Sequence, residues 1–201
     1  MAFYKTPWIY KWLKNQPDGL VYMNKVAYTY KGTMPANTSL TLLEGTKGIA
    51  GSAFNGCTNL TSITIPDSVT TIGEVAFNRC TKLVSVTIPN SVTVINENAF
   101  AECTSLTNIT IPNSVTSIRG AAFYQCASLT NITIPDSVTS IEFWAFFKCS
   151  KLVSVTFEGT IPPDGFANDK KYPVFSGDLR NKYLAGGIGT YTNRGGKWTK
   201  S

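Results

Sequence analysis

Residues 80–100 read CTKLVSVTIPNSVTVINENAF, and stepping 23 residues on gives CTSLTNITIPNSVTSIRGAAF (103–123), then CASLTNITIPDSVTSIEFWAF (126–146). Stepping back gives CTNLTSITIPDSVTTIGEVAF (57–77). Phe54, Phe77, Phe100, Phe123 and Phe146 share this period, as do all five cysteines: Cys57, Cys80, Cys103, Cys126 and Cys149. Leu60 through Leu152 and Ile72 through Ile141 recur in the same way. A degenerate leading copy is legible in Leu40, Leu42, Thr46 and Ile49, and a trailing one puts Phe157-Glu158 where Ile-Pro stood.

A 23-residue period lies within the 20–29 range of leucine-rich repeats, in which each repeat is one coil of a solenoid. In the copy at 80–100, Leu83, Val86 and Ile88 space out as a short strand with a buried inner face. Pro89 lacks an N–H and ends the strand, and Asn90-Ser91 supplies turn chemistry. Val92 and Ile95 turn inward, and Ala99, Phe100 and Cys103 fall at helical spacing, so a short helical turn is expected on the outer side. One coil buries too little apolar surface to fold alone, so stacking on its neighbours must supply the rest. The expected fold is a leucine-rich-repeat solenoid of the α/β right-handed superhelix type, with about five to six coils capped at both ends.

The flanks read as those caps. Residues 1–37 form an N-terminal cap in which GLVYM and VAYTY flank Asn24-Lys25 as a hairpin, with Trp8 and Trp12 as covering bulk. Residues 38–157 are the repeat array. Residues 158–201 are a C-terminal cap and tail, with a short helix over Leu179–Leu184 stopped by Gly186-Gly187, and a loose polar tail from Arg194.

Composition narrows the chemistry. The 201 residues contain no histidine, which removes imidazole triads and imidazole-based zinc sites. Charged residues are 15%, against about 25% in a typical globular protein. The net charge of +6 resides in the flanks, because residues 49–157 hold five basic and six acidic side chains. That is not the clustered basic face with stacking aromatics that nucleic-acid binding requires. No apolar run approaches the length of a membrane span, and Met1–Tyr10, with Lys5, Pro7 and Trp8, does not read as a secretory leader.

Several columns carry residue types that can build sites. The cysteines form no CxxC pair and occupy equivalent inward positions, which reads as a column of small hydrophobes. Asp67, Asn90, Asn113 and Asp136 each follow a proline and read as turn residues rather than a calcium ladder. Glu74 and Glu97 stack one coil apart on the outer side without a pocket. No catalytic, metal-binding or cofactor-binding residues are expected. Candidate partner-binding residues fall in two groups. On the sheet face Thr64, Thr87, Thr110 and Thr133 repeat as small hydroxyls beside Ser62, Ser85, Asn108 and Asn131. On the outer side Tyr124, Phe143, Trp144 and Phe147 occupy columns that hold small or polar residues in earlier coils. Either these aromatics form a binding patch, or a C-terminal segment containing Phe166, Tyr172, Phe175, Tyr183 and Trp198 folds over them.

The motif C-x-x-L-x-x-[IV]-x-I-P-x-S-V-x-x-I-x-x-x-A-F resembles the BspA-like, or treponemal-type, leucine-rich repeats of bacterial surface proteins. The segments GLVYMNKVAYTYKGTMPANTSLTL and GDLRNKYLAGGIGTYT are similar to those before and after such arrays. The resemblance implies a non-enzymatic binding or adhesion module, extracellular or at the cell surface. The expected partner is a protein on a host or neighbouring cell, and the hydroxyl and amide ladder of the sheet face suits a glycan as the alternative. A structural spacer without its own ligand is the second reading, and a hydrolase the most remote.

Overall fold

The computed structural model describes residues 7–167 and 173–201. Helix α1 (Pro7–Lys14) leads into a hairpin of β1 (Gly19–Met23) and β2 (Val26–Lys31), turned at Asn24 with φ 54°. Strands of the array then alternate: β3 (Thr38–Thr41), β4 (Gly48–Ile49), β5 (Leu60–Thr64), β6 (Thr71–Ile72), β7 (Ser85–Thr87), β8 (Val94–Ile95), β9 (Asn108–Thr110), β10 (Ser117–Ile118), β11 (Asn131–Ile134), β12 (Ser140–Ile141) and β13 (Ser154–Phe157). Helix α2 (Leu179–Gly186) and strands β14 (Gly189–Arg194) and β15 (Lys197–Lys200) complete the chain.

The result is a β-solenoid of about six coils with two parallel strand rows. One row holds β3-β5-β7-β9 and then β11-β13, and the other holds β4-β6 and then β8-β10-β12. Register follows the period, with Ser62 opposite Ser85, Ile63 opposite Val86 and Thr87 opposite Thr110. Between the rows, Pro66, Pro89, Pro112 and Pro135 each open a turn whose carbonyl accepts the N–H of Val69, Val92, Val115 or Val138 at 3.0–3.1 Å. The serine of each turn ties the coil to the one before it: Ser114 and Ser137 donate to the carbonyls of Val92 and Val115 at 2.7 Å.

The outer side departs from the expected helical turns. Among the described residues no helix occurs in the array. Each coil instead carries two left-handed residues four apart: Ser52 and Gly56, Val75 and Arg79, Asn98 and Glu102, Ala121 and Gln125, Trp144 and Lys148. Positive φ at i and i+4 forbids a helix. Alternate backbone N–H groups turn along the solenoid axis and donate to the next coil. Val75 reaches Glu97 at 2.9 Å, Phe77 reaches Ala99 at 2.8 Å and Arg79 reaches Ala101 at 2.9 Å. The intervening N–H groups close local turns, as Cys80 does on Phe77 at 3.1 Å. Backbone polar groups that a helix would satisfy internally are satisfied between coils.

Inside, Leu, Ile, Val, Ala, Phe and Cys columns are almost wholly buried. The phenylalanines stack with centroids 5.1–5.5 Å apart from Phe54 to Phe146. A sixth ring continues the pile: Phe175 lies 5.0 Å from Phe146 and nearly parallel, at 4°. It stands 29 residues on rather than 23, with Val174 accepting the N–H of Phe146. Phe157, read as the trailing copy, is buried in the same coil and packs against Tyr183 at 4.3 Å.

All five cysteines are free thiols. Four donate from Sγ to the carbonyl of the phenylalanine 26 residues earlier, as Cys103 does to Phe77 at 3.1 Å and Cys126 to Phe100 at 3.2 Å. Burial pushes the Cys103 and Cys149 thiols up to about 12 and the half-buried Cys57 up to about 11, and raises Cys80 and Cys126 as well. The four deep thiols are protonated packing groups rather than nucleophiles.

The two ends are closed by different means. At the start, β2 pairs parallel with β4 and brings β1 with it. Ile9 of α1 is buried, but Trp8 is 58% exposed, so Ile9 rather than Trp8 does the covering. Trp12 is half-buried, stacked on Trp8 and edge-on to Tyr28. At the other end β14 pairs antiparallel with β13, and β15 with β14. The segment from Arg194, expected to be loosely ordered in part, ends in a strand whose Trp198 is buried and donates from its indole to the Ser176 carbonyl at 3.1 Å. Asp178, just before α2, accepts the Trp198 N–H at 3.2 Å instead of capping the helix with its side chain.

Three outcomes test this construction. Phe123→Ala opens a hole in the middle of the ring pile and lowers unfolding free energy by about 3–5 kcal/mol in urea denaturation. Val75→Asn places at a left-handed site the residue Asn98 already provides there, and raises stability by about 1 kcal/mol because β-branched residues resist positive φ. The deep thiols resist iodoacetamide in the native protein while Cys57 reacts first. Since burial raises their folded pKa values above those of exposed thiols, the unfolded chain releases protons first, and stability present below about pH 9 falls as pH rises toward 12.

Candidate functional site

Stacking of identical coils fixes the backbone and leaves the outward columns to decide what the surface offers. On the first strand row, Thr64, Thr87, Thr110 and Thr133 are all exposed in one line. The small hydroxyls also bond to one another, with Ser39 and Ser62 oxygens 2.7 Å apart. The line is interrupted at β13, where Ser154 and Thr156 are half-buried beside β14 and Thr156 meets the Thr190 hydroxyl at 2.9 Å. Carboxylates sit where the strands end: Asp67, Asp136 and Glu158 are exposed, and Asn90 and Asn113 hold the equivalent turn positions. Glu74 is half-buried and Glu97 exposed on the outer wall.

The outer aromatics converge. Tyr124 lies 6.1 Å from Trp144 and 6.4 Å from Phe147, and Phe143 packs edge-on to Trp144 at 6.4 Å. Phe143 is 45% exposed, while Tyr124, Trp144 and Phe147 are half-buried. Lys148, which the sequence reading did not single out, completes the group. Its Nζ donates to the Tyr124 hydroxyl at 3.0 Å and lies 5.4 Å from that ring's centroid and 6.0 Å from the Phe147 centroid. Its column, four residues after the Trp144 column, was the available signal.

Of the residues expected to fold over this group, Phe166, Phe175, Tyr183 and Trp198 are buried elsewhere. They close the end of the core, with Phe166 and Phe175 at 6.1 Å and Phe166 and Tyr183 at 5.8 Å. Tyr183 also donates from its hydroxyl to Gly159 and accepts the Ile161 N–H at 2.8 Å. Tyr172 lies outside the described residues. The backbone brings the aromatics together through the outer ladder: Trp144 donates to Pro173, and Gln125 to Phe147 at 2.9 Å. Trp144 stands at φ 59°, in the column that elsewhere holds Ser52, Val75, Asn98 and Ala121. A large aromatic there costs on the order of 1–3 kcal/mol of backbone strain.

No helix of the described residues is long and apolar enough to cross a membrane. Comparisons agree with the coil geometry. The model of the BspA type leucine rich repeat region matches in six copies over residues 26–153 and 117–168. A leucine rich cell surface protein from Faecalibacterium prausnitzii A2-165 is similar at 32% identity and a TM-score of 0.64, over 72% of this chain and 38% of that one. A leucine-rich repeat protein from Bacteroides ovatus shares 36% identity with a TM-score of 0.53, over 61% of this chain and 31% of the other. The T. pallidum leucine rich repeat protein shares 25% identity with a TM-score of 0.57, over 80% of this chain and 86% of its own. The chain thus spans well under half the length of the first two structures, and no curated protein matches it. With six matching copies laid over the coils described above, the chain belongs to the BspA-type leucine-rich-repeat family of bacterial surface type.

Proposed function

We propose that this chain is a non-enzymatic binding module displayed outside the bacterial cell, which engages a protein partner through the aromatic end of its outer wall. The observation that carries the reading is the cluster Tyr124, Phe143, Trp144 and Phe147, with Lys148 over two of its rings. Aromatic side chains on a rigid frame are the residues that concentrate binding energy at protein interfaces. They arise here at columns where other coils carry Asn78, Ala101, Glu74, Glu97 or Asn98, and one of them occupies a left-handed position that disfavours a large side chain. Local strain kept at a partly exposed aromatic supports a role in recognition. The sheet face, which lies on another side of the coil, carries no aromatic anchor of this kind.

The uniform hydroxyl ladder favours a second reading, a spacer without its own ligand. The two separate in a solid-phase assay of the full chain against a panel of extracellular-matrix proteins and intact neighbouring bacteria. A module binds at least one of them, and Trp144→Ala with Phe147→Ala weakens binding by about tenfold or more while circular dichroism is unchanged. Binding that survives the double substitution removes the aromatic end from the reading, and a chain that binds nothing on the panel is a spacer.

A further inference from the structure

The first strand row is not continuous. β9 pairs with β7 and β11 pairs with β13, but among the described residues no ladder joins β9 to β11. Elsewhere the same two coils stay joined. β10 pairs with β12, and the outer ladder runs unbroken from Asn98 to Gly120 at 3.0 Å, Phe100 to Ala122 at 2.8 Å and Glu102 to Tyr124 at 2.7 Å. The coils therefore part on the sheet face alone.

The parting coincides with a change of side chain. At this strand position the coils carry Ser39, Ser62, Ser85 and Ser154, but Asn108 and Asn131 flank the seam. Together with Thr110, Thr133, Asn113 and Glu158 they line a groove of about 350 Å³, a volume within the range of small-molecule sites. Its floor is the buried pair Ile109 and Ile132.

We infer that this seam is a binding groove for a neutral saccharide segment, which deepens the binding-module reading by naming a second ligand class on a different face. The lining chemistry selects the class. Each carboxamide presents two donors and an acceptor in one plane, each threonine a donor and acceptor, and Glu158 acceptors only. Such a set complements a ligand whose neighbouring hydroxyls both donate and accept. An anionic ligand meets Glu158 and no cation among the lining residues. A protein partner finds no exposed apolar anchor in the groove, and an extended peptide cannot enter as a strand, because β9 and β11 still lie within 8 Å of each other and an inserted strand needs about 10 Å between them. Without an aromatic platform the affinity rests on hydrogen bonds, so a single site is weak and gains strength through repetition on the ligand.

The test is an amide NMR titration of the full chain with neutral hexasaccharides of β-1,4-glucose, β-1,4-N-acetylglucosamine and α-mannose, with a hyaluronan hexasaccharide as the anionic comparison. At least one neutral sugar is expected to shift amides of residues 108–113, 131–135 and 158, with hyaluronan silent. Asn108→Ser with Asn131→Ser installs the residue the other coils already carry, so the fold is preserved, and it weakens that binding by about tenfold. Glu158→Lys admits hyaluronan. The proposal is overturned if no neutral sugar shifts the seam, if the double serine variant binds equally well, or if a lysine-containing hexapeptide shifts these amides and the sugars do not. The readout is local to the seam and uses no protein partner, so its failure and that of the aromatic end are separately visible.

Discussion

Contact between one coil and the next is the interaction on which everything else depends. A single coil has no helix to satisfy its backbone and too little apolar surface to hold itself closed. Its N–H groups point along the axis, as those of Val75, Phe77 and Arg79 do, and find carbonyls only if another coil lies there. Its phenylalanine, cysteine and leucine are buried only if another copy of each lies above and below. Hydrogen bonding and side-chain burial are thus satisfied by the same stacking step, which makes the array cooperative along its length. The ends must then be closed, and a hairpin does so at each: one through the second strand row, the other through the first.

Much of this was legible in the linear chain because a periodic fold writes itself as a periodic string. Phe54 to Phe146 named the ring pile, and the threonine step named the outward line on the sheet. What escaped was whatever broke the period or lay in the backbone. Ala99, Phe100 and Cys103 have helical spacing, but two residues per coil are left-handed, and non-glycine residues such as Arg79 and Glu102 give no hint of that. Phe175 joins the pile across a 29-residue step, so only the Val174-Phe175 pair, standing in for Ala-Phe, marked it. Ser91 read as a turn residue, whereas its hydroxyl, like those of Ser114 and Ser137, ties its coil to the previous one.

The candidate sites divide along the same line. The aromatic group could be found from columns, because Tyr124 and Phe147 are one period apart and depart from Asn78 and Ala101. That Lys148 lies over the rings needed coordinates, since its reach depends on the turn that follows Trp144. The seam between β9 and β11 was invisible: replacing serine with asparagine at two positions looks conservative until the missing ladder is seen beside it.

The left-handed column of Arg79, Glu102, Gln125 and Lys148 holds four different side chains at nearly one backbone conformation, φ 58–62°. Its backbone is fixed by neighbours above and below, so what projects from it is free to drift. Such a wall separates change in what is displayed from change in what folds, so side chains there can be exchanged coil by coil without rebuilding the frame that carries them.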